Sequence, residues 1–104
     1  MRICIDWDDT LVDAKTQQWL PGAGASLRWI LGRAKQVTIL TARGNYLEGV
    51  QLVRDGLALE LGPAQLRRVE IVAKPDADLY IDDRALRFTG DWDRMLDELE
   101  GRRR

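Results

Sequence analysis

Short runs of strand-type residues alternate with helix-type patterns along this chain, and each run stops at a polar or small residue. The runs are Arg2-Ile3-Cys4-Ile5-Asp6-Trp7, Gln36-Val37-Thr38-Ile39-Leu40, Val69-Glu70-Ile71-Val72-Ala73 and Leu79-Tyr80-Ile81. Each is short, rich in β-branched residues and bounded by turn signals. Between the first two, residues 25–34 place Leu27, Ile30, Leu31 and Ala34 at helical spacing. Strands alternating with helices imply a parallel sheet joined by right-handed crossovers. In such a sheet ligands bind beyond the carboxyl ends of the strands. The expected fold is therefore α/β, a Rossmann-like three-layer sandwich around a parallel central sheet.

Local chemistry sets the boundaries. Residues 8–20 form a polar connection without a period, broken by Pro21-Gly22-Ala23-Gly24. Asn45 is placed to cap a second helix that runs to residue 61, with Leu47, Val50, Val53, Leu57 and Leu61 inward. Gly62-Pro63 ends it, and a helical turn covers residues 64–67. Asp91 caps a last helix over residues 92–100, turning Trp92, Met95, Leu96 and Leu99 inward. No repeat or linker interrupts the 104 residues. One domain is expected over residues 1–101, followed by a basic tail at 102–104.

Composition removes several kinds of chemistry. At 45% hydrophobic and 32% charged, the chain has the balance of a soluble globular protein. A net charge of −1 gives no global attraction to nucleic acid or membrane. No apolar stretch approaches the roughly 20 residues that span a bilayer, and Met1-Arg2 leads directly into a strand, so a cytoplasmic location is expected. Histidine is absent, which rules out Ser-His-Asp, Cys-His and His-ligated metal chemistry. Cys4 is the single cysteine, so no intrachain disulfide can form; between Ile3 and Ile5 it is expected in the core.

What remains is carboxylate, lysine, arginine and hydroxyl chemistry, and it gathers at strand ends. Asp6, Asp8 and Asp9 follow the first strand, Thr41 and Arg43 the second, Lys74 the third, and Asp82 and Asp83 the fourth. Like charges about 4 Å apart repel by roughly 4 kcal/mol at an effective dielectric near 20. Asp-x-Asp-x-Thr after a strand therefore suggests a magnesium site, and an aspartate available for covalent chemistry.

The order of these groups resembles the haloacid dehalogenase superfamily of phosphotransferases. Asp6-Trp7-Asp8-Asp9-Thr10-Leu11 is similar to the family's first motif and Ile39-Leu40-Thr41 to its second. Lys74-Pro75 is similar to the third, and Leu79-Tyr80-Ile81-Asp82-Asp83 to the fourth. The resemblance implies a Mg²⁺-dependent phosphatase with Asp6 as nucleophile and Asp8 as general acid and base. It also implies that Thr41 binds the transferring phosphoryl group and that Lys74 neutralises its charge. Mg²⁺ would be held by Asp6, Asp8 through its carbonyl, and the Asp82-Asp83 pair, with Asp83 the direct ligand. Arg43 and Arg84 flank the rim and are open to two readings, substrate binding or structural ion pairing. Trp7, between the two aspartates, is a candidate to shield the site or stack on substrate.

Relatives often carry a cap domain, for which residues 12–36 and 44–68 leave no room. The chain resembles the capless type, and its Lys-Pro-x-x-Asp-x-Tyr-Ile-Asp-Asp string resembles small bacterial phosphatases of capsule and polysaccharide biosynthesis. An open rim suits a large phosphorylated substrate: a glycan, a nucleotide or polynucleotide end, or a protein. A homodimer could supply a lid, with Trp19 and Pro21 as contacts. The alternative is a non-catalytic module that binds Mg²⁺ or phosphate, like a receiver domain. Receivers, however, place their acidic pair first and their lysine last.

Overall fold

A computed structural model describes residues 1–103. Three parallel strands, β1 (Arg2–Asp6), β2 (Gln36–Thr41) and β3 (Val69–Ala73), lie in the order β1-β2-β3. Ile5 sits beside Ile39, and Ile39 beside Ile71. Helix α1 (Ala23–Leu31) joins the first two strands. A 3-10 turn (Ala42–Asn45), α2 (Leu47–Ala58) and the single turn α3 (Pro63–Leu66) lead to β3, and α4 (Trp92–Arg103) closes the chain. No described helix is long and apolar enough to cross a membrane.

Period-two alternation puts Ile3, Ile5, Val37, Ile39, Val69 and Ile71 on one face of the sheet. That face packs against Leu27, Ile30 and Leu31 of α1, Val53 and Leu57 of α2, and Trp92, Met95 and Leu99 of α4 in one core. Residues of the other face are exposed (Cys4, Glu70, Val72) or half-buried (Thr38, Leu40). The parallel α/β architecture is compatible with a Rossmann-like sandwich. Among the described residues, however, the long helices share one face, so the third layer is not formed. The expectation for Cys4 is corrected on the same ground: its thiol is exposed because it alternates onto the uncovered face.

The fourth strand is also absent. Leu79, Tyr80 and Ile81 are 74%, 48% and 93% exposed and outside the sheet. Local contacts hold this stretch elsewhere. The Tyr80 hydroxyl donates to the Pro75 carbonyl and accepts from the Ala77 amide, and the Lys74 ammonium lies 3.9 Å above the Tyr80 ring. The chain thus curls over the end of β3, and the outer edge of β1 has no strand partner among the described residues.

Smaller departures concern helix ends. Asn45 belongs to the 3-10 turn, Tyr46 precedes α2, and Leu47 is 88% exposed rather than inward. Helix α2 stops at Ala58, though Leu61 is still buried in the turn that follows. The expected basic tail is in part helix: α4 runs through Gly101 to Arg103, and Arg104 lies outside the described residues. Asp91 does cap α4, its Oδ1 accepting from the Arg94 amide at 3.2 Å. Three long-range bonds help to fasten the helical layer. Arg68 donates to the Leu31 and Ala34 carbonyls at the end of α1, and Trp92 Nε1 donates to the Thr10 carbonyl at 2.7 Å.

Gly56 shows how tightly α2 meets the sheet. A Cβ there would lie 2.7 Å from the Trp7 ring. Alanine normally gains about 1 kcal/mol over glycine inside a helix. Overpacking a core costs about 1–3 kcal/mol, so the clash outweighs the propensity. Gly56→Ala should lower the urea midpoint and alter Trp fluorescence, whereas Gly101→Ala, with open space around it, should not lower it.

Candidate functional site

The site begins with a buried aromatic ring. Trp7 is 1% exposed and packs edge-on against Trp19, ring centroids 5.4 Å apart. Its indole N–H donates to Gln17 Oε1 at 2.9 Å. Its carbonyl accepts from the amides of Thr10, Leu11 and Val12 at 3.0–3.3 Å, so the chain turns immediately after β1. Asp6 and Asp8 flank this ring and are both half-exposed at the carboxyl end of the sheet. Trp7 therefore lies beneath the rim and is not placed to stack on substrate.

Asp6 is oriented by two neighbours. Its Oδ1 accepts from the Trp7 amide at 3.0 Å, and its Oδ2 lies 3.8 Å from Lys74 Nζ. Burial pushes the Asp6 carboxyl above its ordinary range; Lys74 and the Trp7 amide oppose this, and the charges of Asp8 and Asp9 add to it. Lys74 reaches Asp6 because its amide bonds the Thr41 carbonyl at 3.0 Å, extending β3 along β2 by one residue.

Asp8 is held on both oxygens. Oδ2 accepts from Arg43 Nε at 2.8 Å, and Oδ1 accepts from Arg43 Nη2 at 3.1 Å and Gln17 Nε2 at 2.9 Å. This bidentate pair places Arg43 as an ion-pair partner of Asp8, the structural alternative of its two readings. Thr41 is buried, and its hydroxyl accepts from the Arg43 amide at 3.2 Å. It is thus the entry residue of the 3-10 turn that carries Arg43, and no bond joins it to Asp6 or Asp8. Gly49 makes room for that turn, since a Cβ there would overlap the Arg43 carbonyl. Asp9 shapes the loop, at φ 59° with Oδ1 accepting from the Ala14 amide.

The fourth group is not brought to this rim. Asp82 Oδ1 accepts from the Arg84 amide at 2.7 Å in a local turn, and Asp83 and Arg84 are exposed. A divalent cation needs several oxygen ligands converging on one point. Among the described residues no group of three histidine, cysteine, aspartate or glutamate side chains is so placed. The arrangement gathers Asp6, Asp8, Arg43 and Lys74, and does not fit Mg²⁺ as it stands.

Gln17 has no counterpart among the residues singled out in the sequence. It sits at φ 60° in a loop closed by the Asp13 amide to the Gln18 carbonyl and the Gln17 amide to the Asp13 carbonyl, both 2.8 Å. Asp13 Oδ1 accepts from the Lys15 and Thr16 amides at 2.9 Å, and these bonds hold its carboxyl below its ordinary range. The aspartate with polar residues behind it is a readable turn signal. Nothing in it tells which following side chain turns inward. Comparison of the chain with protein-family models, curated proteins and solved structures found no match.

The raised Asp6 carboxyl has a testable sign. A group more easily protonated in the folded state destabilises the fold as pH rises through its folded pKa. Asp6→Asn should therefore raise the melting temperature at pH 7, and the gain should shrink toward pH 3, where wild-type Asp6 is protonated. A melting temperature lowered at pH 7 but little changed at pH 3 would instead mean that the Lys74 contact dominates.

Proposed function

We propose that this protein hydrolyses phosphomonoesters through an aspartyl-phosphate on Asp6, as the capless haloacid dehalogenase-like phosphatases it resembles would do. The observation that carries the reading is the ammonium of Lys74 at 3.8 Å from the Asp6 carboxylate, with Asp8 fixed on the same rim. An Asp6 oxygen attacks phosphorus, and the bond to the leaving oxygen breaks. Asp8 gives its proton to that leaving oxygen. Asp8 then takes a proton from water as the water oxygen attacks phosphorus, releasing inorganic phosphate and restoring Asp6. Lys74 offsets the phosphoryl charge in both steps. Gathering these charges outside the strand ends is what a parallel sheet favours. The uncapped rim suits a bulky phosphorylated group.

Mg²⁺ dependence is implied by the resemblance alone, and no step above passes through the metal. A second reading, a phosphate-binding module without turnover, is favoured by one observation: both Asp8 oxygens are already engaged, by Arg43 and Gln17.

Hydrolysis of p-nitrophenyl phosphate with and without Mg²⁺ tests both. Wild type should turn over, Asp6→Asn should fall to background, and Asp8→Asn should lose about 10²–10⁴-fold. Equal rates in wild type and Asp6→Asn would sink the phosphatase reading. Phosphate held on Asp6 of the wild type without release would favour the module.

A further inference from the structure

Among the described residues, Gln17 is the one side chain that hydrogen-bonds both the buried Trp7 and the half-exposed Asp8. A tryptophan indole can only donate, so the Gln17 oxygen must face Trp7. Its amide nitrogen must then face Asp8, at 2.9 Å from Oδ1. The amide cannot flip without losing both bonds. The same nitrogen also lies 3.1 Å from the Ala14 carbonyl and 3.3 Å from the Asp13 carbonyl, the far side of its own loop. Its left-handed backbone is uncommon for glutamine, and the capped Asp13 turn over-determines it.

The consequence for Asp8 lies in its lone pairs. Each carboxylate oxygen offers two. Oδ1 accepts from Gln17 and Arg43 and is filled, whereas Oδ2 accepts from Arg43 alone. We propose that Gln17 is a positioning residue: by filling Oδ1 and locking the carboxylate plane to Trp7, it confines proton exchange at Asp8 to Oδ2. Trp7 thereby serves the chemistry without touching substrate. Through Gln17 it transmits the rigidity of the core to the rim. This inference rests on the phosphatase reading for its catalytic consequence and on geometry alone for the clamp.

Two variants separate the arms. Gln17→Glu keeps an acceptor for Trp7 and removes the donor to Asp8; Gln17→Met removes both. Each should lower kcat for p-nitrophenyl phosphate by about 10- to 100-fold, as expected when a reacting group is misplaced by an ångström or less. KM should stay within about twofold, because no substrate contact is lost. In nitrogen–proton spectra the Trp7 indole resonance should stay protected from exchange in Gln17→Glu and lose protection in Gln17→Met. The Arg43 Nε–H should be protected in wild type and exchange faster in both variants. Wild-type kcat in both variants, or activity lost only in proportion to unfolded protein, would overturn the inference. Wild type inactive toward any phosphomonoester would instead remove the phosphatase reading. The clamp would then be judged by the two resonances, and fast exchange of the wild-type Arg43 Nε–H would overturn it.

Discussion

Burial of one indole ring organises this molecule. Trp7 stands between Asp6 and Asp8 and is enclosed by Gly56, Trp19 and Gln17. A ring of this size contributes several kcal/mol when it leaves water. Its neighbours Asp6 and Asp8 cannot follow it, because an unpaired buried carboxylate is far more costly. They are left at the carboxyl end of the sheet, partly wet, where Lys74 and Arg43 meet them from β3 and from the turn after β2. The charged rim is thus a by-product of core packing, and the strand spacing that builds the core also fixes its position.

How far these relations could be read in the chain depends on what each residue answers to. The three strands and the inward faces of α1 and α4 follow from apolar spacing, and Leu27, Ile30, Leu31, Met95 and Leu99 all fall inside the core. Leu47 answers to the angle at which the 3-10 turn delivers α2, which spacing does not encode. Cys4 answers to how many faces of the sheet are covered. Among the candidate site residues, the chain order fixed which strand end each would follow, and Asp6, Asp8, Arg43 and Lys74 meet there. The partners of Arg43 and Thr41 were not legible, since either side chain suits phosphate as well as it suits another part of the protein. Gln17 lies in an aperiodic loop, and its importance comes from a donor–acceptor match that only three dimensions supply.

The stretch after Lys74 shows two tendencies in competition. Leu79, Tyr80 and Ile81 have strand character, and the outer edge of β1 is open. Against this, Tyr80 finds both a cation and two backbone partners within six residues. Local contacts close at little entropic cost, whereas pairing across the sheet must first close a wider loop. The acidic pair stays away from Asp6 as a result, and repulsion among the carboxylates is relieved by Lys74 and Arg43.

The strand order also bears on how the chain assembles. Each strand pairs with the next one in sequence, so β1, α1, β2, α2 and β3 can assemble in chain order, but each parallel pairing must first close a crossover, which is slow. Helix α4 is different. Its bond from Trp92 to Thr10 spans 82 residues, and it reaches the core after an extended stretch that the sheet does not hold. Its Trp92, Met95 and Leu99 nevertheless share the single core with the sheet. Detachment of α4 would free the Thr10 carbonyl and loosen the loop around Asp8. The charged rim would then lose one of the contacts that hold its loop in place.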